Sequence, residues 1–354
     1  MSTSQVTFSL SVIDDPMYIS ESKMTIFIIV VDIFVLGVFS VTGIVSNIIN
    51  MIIFVKQVLK DSMTVGLFAL SFTDFAIATL ELTFSCTYLA SVICPRSSVD
   101  LWILNYVILT WAIYAFYLIS CWITAIISLE RCFCVVYPFS VKRIFTRGRC
   151  VVVIIGVYAV HVAAVLPVYL IKKMEWVPLY PNSENGTIIS GSPIWLYTMK
   201  STEATRQLDT IMDITAGLFL FMTPQFIIFV CSIYMSVVLK KSSAVRSRKD
   251  VDDDSKPSTK YSNLTRQEKR LIKMVLFVDV LHSVCNVPRI TVIVYYHLVF
   301  PSLNIAIVKN LSSVLLTCAV VLNTISCFSN SLGYYFLNSV YRKMFLDLFS
   351  AKKK

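Results

Sequence analysis

Residues 101–129 read LWILNYVILTWAIYAFYLISCWITAIISL, a stretch without a single charged side chain that ends directly before Glu130 and Arg131. A hydrocarbon core about 30 Å thick is crossed by roughly 20 apolar residues in a helix. Backbone polar groups in lipid must pair within their own segment, so an isolated stretch of this length forms a transmembrane helix. This stretch therefore predicts an integral membrane protein.

Six further segments have the same character. Three of them, 150–171, 214–239 and 310–341, contain no charged residue. Three others, around 24–55, 63–92 and 274–298, hold isolated charges at Asp32, Asp74, Glu81, Asp279 and Arg289. We predict seven spans, at about 24–55, 63–92, 102–134, 150–171, 209–240, 268–298 and 306–336. The fold class is thus an all-α, seven-transmembrane helix bundle, and its membrane domain covers 24–337.

The overall composition supports this interpretation. The chain is 56% hydrophobic and 15% charged, whereas a soluble protein carries about 25% charged residues. After span seven, residues 338–354 begin with apolar side chains at helical spacing around Arg342 and Lys343. That pattern predicts a short amphipathic eighth helix on the inner leaflet. The stretch 172–209 contains five Pro and Gly residues, which favours irregular structure or a short hairpin over helix.

Basic residues are unevenly distributed between the two sides of the predicted bundle. The loops 56–60, 131–149, 240–273 and 342–354 hold 23 of the 31 Lys and Arg residues. Cytosolic loops carry this excess, so we expect residues 1–23 to be extracellular and the chain to be multi-pass with a cytosolic C-terminus. Asn185, in an Asn-Gly-Thr sequon, would then lie outside and be glycosylated. Basic clusters beside spans suit anionic membrane lipid, and we expect no nucleic-acid partner.

Short motifs recur inside the spans in a fixed order. They are Gly43 and Asn47; Leu70-Ser71-Phe72-Thr73-Asp74; Glu130-Arg131-Cys132 with Pro138-Phe139; Pro224; Cys285-Asn286-Val287-Pro288; Asn330-Ser331-Leu332-Gly333-Tyr334; and Tyr341-Arg342-Lys343-Met344-Phe345. Together they resemble the rhodopsin-like (class A) family of G-protein-coupled receptors. The segment 130–146 resembles orphan and chemosensory-type receptors of molluscs and, more distantly, FMRFamide-type peptide receptors.

The resemblance implies a receptor of the plasma membrane, not an enzyme, that binds an extracellular ligand and activates a heterotrimeric G protein. Arg131 would pair with Glu130 and with Glu268, and opening this clasp would let span six swing outward. The alternative for Arg131 is a side chain that extends to the lipid interface. Phe139 would contact the G protein. Further positions implied in activation are Asn286, Pro288 and Tyr334.

The resemblance also implies a sodium site around the intramembrane Asp74. Ser120 and Asn330 stand at the family positions that help such an acid hold the ion, and Asn286 could add an oxygen. The sodium ion would be allosteric, and no other cofactor is expected. The alternative is a protonated Asp74 in a plain hydrogen-bond network.

A second group of residues is expected to line the ligand pocket. Its members are charged or aromatic residues of the outer halves of the spans: Glu81, Trp111, Tyr114, Tyr117, Asp213 and Arg289. Such a pocket suits a peptide terminus or a small polar chemosensory ligand such as an amino acid. The alternative is an internal Glu81–Arg289 salt bridge without a ligand role. Ile113 stands where receptors for biogenic amines carry Asp, and Thr324 stands where opsins carry the retinal lysine.

Several family features are absent. Tyr106 occupies the span-three position of the usual outer disulfide, and 172–209 contain no Cys, so a contribution of about 3 kcal/mol from loop closure is missing. Tyr158, Ser232 and Asn286 replace a Trp, a Tyr and a second Trp of the family pattern.

Two other functions compete with a receptor. A seven-helix transporter or channel could use Asp74, Asp279 and His282 as an ion path. An enzyme would need paired catalytic groups, and the spacing of His161, His282 and His297 offers none.

Overall fold

A computed structural model of the chain describes residues 21–59, 61–94, 98–179, 193–200, 202–249, 265–298 and 305–350. Within these ranges, seven helices are long and apolar enough to cross a membrane. Spans one to seven are Lys23–Lys56, Ser62–Ile93, Leu101–Val136, Arg147–Ile171, Thr215–Lys241, Glu268–Thr291 and Ser313–Leu337. The helix Ser339–Ser350 follows span seven. The predicted all-α seven-helix bundle with a short eighth helix is confirmed.

Some helices extend beyond the membrane-spanning part. Span six belongs to the helix Arg266–Leu298, and span seven belongs to Ile305–Leu337. Span five continues the helix Glu203–Met212 and extends to Lys249. Three stretches are wound as π-helix, Val30–Val35, Tyr106–Thr110 and Asp213–Phe221.

Polar side chains cap the helices at their starts. Asp61 accepts a hydrogen bond from the backbone N–H of Thr64 at 2.8 Å, which begins span two. Asp100 accepts one from Ile103 at 3.0 Å, which begins span three. An acceptor at this position satisfies an N–H group that the first helical turn leaves unpaired. Spans two and three therefore begin where the sequence changes from polar to apolar.

A β-hairpin lies beside the start of span three. Its strands β1 (Met174–Leu179) and β2 (Ile194–Met199) are antiparallel, with Met174 opposite Met199. Tyr197 donates its backbone N–H to Ser98 O at 2.8 Å and accepts from Asp100 N at 3.0 Å. The side of the bundle at the hairpin is called the hairpin end below. The opposite side, where span three finishes, is called the Arg131 end.

The stretch 172–209 is therefore partly as expected and partly not. The hairpin agrees with the prediction, but residues from Glu203 onward are helical, where we expected no helix. The reason is local. All five Pro and Gly residues of the stretch lie at 178–193. Thr202 and Thr205 instead cap the new helix, because each backbone N–H donates to the other's hydroxyl, at 2.9 and 3.2 Å.

The bundle places apolar side chains on its outside. Phe34, Phe226 and Phe336 are 65%, 69% and 66% exposed, which is the distribution expected for a surface that faces lipid. Carboxylates such as Asp74, Glu130 and Asp279 are buried between the helices. Ionisable side chains inside a membrane protein face the bundle interior in this way.

The eighth helix is held against the bundle by Tyr341. Its ring lies 5.8 Å from that of Phe54 and 5.7 Å from that of Tyr334, measured between centroids. Burial raises the pKa of the Tyr341 hydroxyl, so the group stays protonated and donates to Asn50 Oδ1 at 2.6 Å. The apolar face of this helix is thus shared between the bundle and the expected lipid surface.

Candidate functional site

A compact ionic cluster lies where span three ends. Arg131 Nη2 donates to Glu130 Oε1 at 2.6 Å, and Ser62 Oγ of span two donates to the same oxygen at 2.7 Å. Glu130 is buried, and Arg131 is nearly so. Arg131 Nε is buried without a hydrogen-bond partner. The arginine is thus folded back onto its own helix, which leaves part of its hydrogen-bonding capacity unused.

The expected clasp between Arg131 and Glu268 is not formed in this structure. Among the described residues, the one salt bridge is that between Arg131 and Glu130. Glu268 is exposed, and its Oε2 accepts from both the backbone N–H and the hydroxyl of Thr265, at 2.8 and 2.9 Å. Thr265 in turn accepts from Glu268 N at 3.2 Å. Glu268 and Thr265 thus form a reciprocal capping box at the start of the helix, and this box engages the Glu268 carboxylate. The predicted pairing of Glu268 with Arg131 is therefore wrong for this structure.

Asp279 connects three spans at the same end of the bundle. Ser128 Oγ of span three donates to Asp279 Oδ1 at 2.6 Å, and Ser232 Oγ of span five donates to Oδ2 at 2.9 Å. Asp279 is fully buried. The sequence interpretation considered Asp279 only for an ion path and missed this contact. The replacement of a family Tyr by Ser232 was the signal that could have indicated it.

Asp74 lies at the centre of the bundle with both expected neighbours. Ser120 Oγ donates to Asp74 Oδ1 at 3.0 Å, and Asn330 Nδ2 donates to Oδ2 at 2.9 Å. Asn330 Oδ1 is buried without a partner, as are both polar atoms of the Asn286 side chain. The structure therefore brings Asp74, Ser120 and Asn330 together, and it leaves unpaired oxygens on Asn330 and Asn286.

An amide network links spans one and seven below this cluster. Asn47 Nδ2 donates to Cys327 O at 3.2 Å. Asn50 Nδ2 donates to Ser331 Oγ at 2.8 Å, and Asn50 Oδ1 accepts from Tyr341. Ser331 stands where the family carries Pro, so the departure supplies a hydrogen-bonding hydroxyl. Tyr334 is fully buried between the rings of Phe54 and Tyr341.

In the half of the bundle toward the hairpin end, Arg289 lies against two tyrosines. Its guanidinium carbon is 4.4 Å from the ring centroid of Tyr117 and 5.3 Å from that of Tyr114. Trp111 contacts Tyr114 edge to face at 6.3 Å. Pro288, a proline inside the helix Arg266–Leu298, directly precedes Arg289. Four of the predicted pocket residues are thus neighbours.

Glu81 belongs to the same half but does not pair with Arg289. Glu81 is buried, and its Oε2 accepts from Thr324 Oγ1 of span seven at 2.8 Å. No salt bridge joins it to Arg289, so the alternative of an internal ion pair is wrong for the described side chains. In the sequence, Thr324 is notable only because it stands where opsins carry the retinal lysine. In the structure it is the hydrogen-bond partner of Glu81, a predicted pocket residue.

Lys172 contacts Tyr106, the residue at the span-three position of the missing disulfide. It is buried at the end of span four, and its Nζ donates to the hydroxyl of Tyr106 at 2.9 Å. The same ammonium lies 4.6 Å from the ring centroid of Tyr106 and 4.9 Å from that of Trp111. The residue in the place of the family cysteine therefore makes a non-covalent contact with the segment that leads into the hairpin.

Three predicted residues lie partly or wholly outside the described part of the chain. Phe139 belongs to the short helix Pro138–Ile144 and Asp213 begins a π-helical turn, but their side chains are not among those described. Asn185 lies outside the described residues. Their roles in coupling, ligand contact and glycosylation stay predictions.

Comparison with known proteins gives a match to one family. The family of the 7 transmembrane receptor (rhodopsin family) matches residues 46–330. No curated protein matches the chain. Family members are G-protein-coupled receptors, which favours a receptor over the transporter and enzyme alternatives. The match covers most of the chain and includes the Asp74, Arg131 and Asp279 clusters. The chain therefore belongs to the rhodopsin family of seven-transmembrane G-protein-coupled receptors.

Proposed function

We propose that this receptor binds an extracellular peptide or small polar ligand at the hairpin end and activates a heterotrimeric G protein at the Arg131 end. The observation that carries the proposal is the buried Ser62–Glu130–Arg131 cluster at the end of span three, in a chain of this family. An arginine with a buried, unpartnered Nε can change partners when the helices around it move. The ligand class fits the proposed chemosensory or peptide-receptor subgroup.

The proposed orientation rests on charge. The loops at the Arg131 end hold 23 of the 31 Lys and Arg residues, and cytosolic loops carry such an excess. The Arg131 end would then face the cytosol of a cell with this receptor in its plasma membrane. The N-terminus, the hairpin and the glycosylation site at Asn185 would be extracellular. The basic residues beside the spans would also contact anionic lipid.

The proposed switch is the position of span six. Asp279 hydrogen-bonds span six to Ser128 and Ser232 of its neighbours, so these two bonds must break if span six swings outward. Rigid-body movements of this kind are a known form of switching transition. Arg131, released from Glu130, and Phe139 would then contact the G protein. Asn286, Pro288 and Tyr334 lie on the two helices that would rearrange.

A sodium ion at Asp74 is a further part of this proposal. The residues present fit the ion, because Asp74, Ser120, Asn330 and Asn286 offer oxygens, and hard cations prefer oxygen ligands. When bound, the ion would supply a positive charge that stabilises the ionised Asp74. Thermal unfolding of the purified receptor in sodium and in choline chloride tests this site. We expect sodium to raise the unfolding temperature of the parent protein but not of Asp74→Asn, and equal temperatures in both salts would reject the site.

Nucleotide exchange on purified Gα subunits tests the coupling. The receptor in lipid nanodiscs should accelerate GTP binding by at least one Gα class above empty nanodiscs. Arg131→Ala and Phe139→Ala should each remove most of this acceleration, while thermal stability and surface expression persist. Arg147→Ala is a matched control, because Arg147 is an exposed arginine at the start of span four. Acceleration that survives both substitutions would contradict the proposed coupling surface.

A further inference from the structure

The most unusual group in the proposed pocket is the guanidinium of Arg289. It stacks on Tyr117 and Tyr114. Its Nε is buried and has no hydrogen-bond partner, and no described carboxylate forms a salt bridge with it. Contact with an aromatic face offsets only part of what a cation loses on leaving water. Arg289 is half-buried, and a desolvated charge without a directly bonded counter-charge is costly, so the guanidinium is a candidate contact for an anionic ligand group.

The acid best placed to neutralise Arg289 is engaged elsewhere. Glu81 accepts from Thr324 across the interface with span seven, and it forms no ion pair with Arg289. The charges of Glu81 and Arg289 act on each other only at a distance, so no carboxylate of the described residues bonds directly to the guanidinium.

Two other side chains near Arg289 have unused polar atoms. The Tyr117 hydroxyl is buried next to the Cys121 thiol, a weak hydrogen-bonding group, and has no other described partner. Asn286 lies three residues before Arg289 on the same helix and is fully buried, with Nδ2 and Oδ1 both unpaired. Buried polar groups are normally hydrogen-bonded. The three side chains together offer N–H and O–H donors that an acceptor group could satisfy.

The chemistry of these donors selects one kind of ligand group. A cationic amine facing Arg289 would be repelled, and a neutral amide would leave the charge uncompensated. A phosphate monoester carries nearly two charges, whereas one arginine is the only described cation here that lacks an anionic or hydrogen-bonding partner. The planar guanidinium fork matches a carboxylate in both charge and geometry. We propose that the ligand presents a carboxylate to Arg289, with the Tyr117 hydroxyl as a second donor and the Asn286 amide beneath.

This inference rests on the proposed function, because it assumes that the pocket at the hairpin end receives the ligand. Two sources supply the same chemistry, a free acid such as an amino acid and the C-terminus of a peptide. Either would place its carboxylate at Arg289 and its apolar parts on Trp111 and Tyr114.

The test uses acid and amide pairs on the purified full-length receptor in nanodiscs. One arm holds the L-amino acids and their carboxamides, and the other holds short peptides with free and amidated C-termini. Binding is read as a shift in thermal unfolding, which needs no G protein. We expect members of at least one arm to bind as acids and to lose at least about tenfold in affinity as amides, the factor that corresponds to one charge-assisted contact.

Variants then locate the contact. Arg289→Gln should abolish the difference between acid and amide, and Arg289→Lys should retain part of it because the charge remains while the fork is lost. Tyr117→Phe should weaken acids more than amides. Arg149→Gln, an exposed arginine at the other end, should change nothing.

Three results would overturn the proposal: no acid binds in either arm, amides bind as well as acids, or Arg289→Gln keeps the preference for acids. If the arginine variants fold poorly, the comparison of acids with amides on the parent receptor still tests whether the ligand binds through a carboxylate. A receptor that binds acids but never drives nucleotide exchange would refute the proposed coupling and leave this inference intact.

Discussion

At the scale of single residues, substitutions of the family pattern come with new partners. Tyr158, in the place of a family Trp, shares a hydrogen bond of 2.6 Å with Thr73 of span two. Ser232, in the place of a Tyr, donates to Asp279. Each pair joins two helices through a side chain that the sequence alone marks as a departure. At both positions, a side-chain hydrogen bond between two helices accompanies the loss of the family residue.

Asp279 gives a prediction at this scale. Asp279→Ala removes the acceptor of the half-buried Ser232 hydroxyl and the interhelical acceptor of Ser128, which also donates to Thr124 O at 2.9 Å. Interhelical hydrogen bonds in membranes contribute about 0.6 kcal/mol each on average. We expect a loss of about 1–2 kcal/mol in stability, measured by thermal unfolding. Because span six is released, basal nucleotide exchange should rise, by up to roughly 30-fold for this free energy.

The neighbouring residue provides the control for Asp279. Val280 is 55% exposed on the outside of the bundle, so Val280→Ala should leave both stability and basal exchange nearly unchanged. An Asp279→Ala receptor with parental basal exchange would show that this contact does not restrain span six.

At the scale of elements, span seven is a helix that runs through the family's proline position without a proline. Ser331 keeps its backbone N–H, and its hydroxyl oxygen accepts a hydrogen bond from Asn50 Nδ2 of span one. The carbonyl four residues earlier, Cys327 O, already accepts a second bond from Asn47. If the backbone bond from residue 331 to Cys327 O were lost, this carbonyl would therefore still accept a hydrogen bond from Asn47.

Ser331→Pro tests whether the Asn47 bond lowers the cost of losing this backbone bond. Proline inside a helix costs about 3 kcal/mol or more, partly because it orphans the carbonyl four residues earlier. Here Asn47 would still satisfy Cys327 O, so we expect a smaller loss, about 1–2 kcal/mol in thermal or chemical unfolding.

A double-mutant cycle isolates the cause. In an Asn47→Ala background, Ser331→Pro should cost more than it does alone. Ser329 is a buried position of the same helix, and the carbonyl four residues before it, Ile325 O, has no described second donor. Ser329→Pro should therefore show the full penalty and no coupling to Asn47. Equal costs at 331 with and without Asn47 would refute the explanation.

At the scale of the whole molecule, the receptor holds its hairpin without a disulfide. All ten cysteines are free. The hairpin is joined to span three by the backbone bonds between Tyr197 and residues 98 and 100. Lys172 adds its contact with Tyr106 and Trp111. These interactions occupy the region where the family's cross-link would lie.

Reducing agent provides the corresponding prediction. Dithiothreitol should leave the unfolding temperature of the purified receptor unchanged, because no S–S bond is present to break. Cys94→Ser, which removes an exposed thiol near the hairpin end, should behave like the parent. Lys172→Met should lower the temperature, because it removes the ammonium from the two rings at a cost of about 1–2 kcal/mol. A fall on reduction would reveal a cross-link.

The membrane class, the seven long helices and the short eighth helix follow from the order of the residues alone. Apolar length and the cost of unpaired backbone groups in lipid permit no other fold for such stretches. The resemblance of its motifs to the receptor family also implied that Asp74, Ser120 and Asn330 lie together. Tertiary packing decided which polar groups meet. Asp279 accepts hydrogen bonds from Ser128 and Ser232. Glu268 caps the start of its own helix instead of pairing with Arg131. Glu81 bonds to Thr324 and forms no salt bridge with Arg289. Such pairings depend on helix rotation and on competition between near neighbours, and spacing along one chain encodes neither.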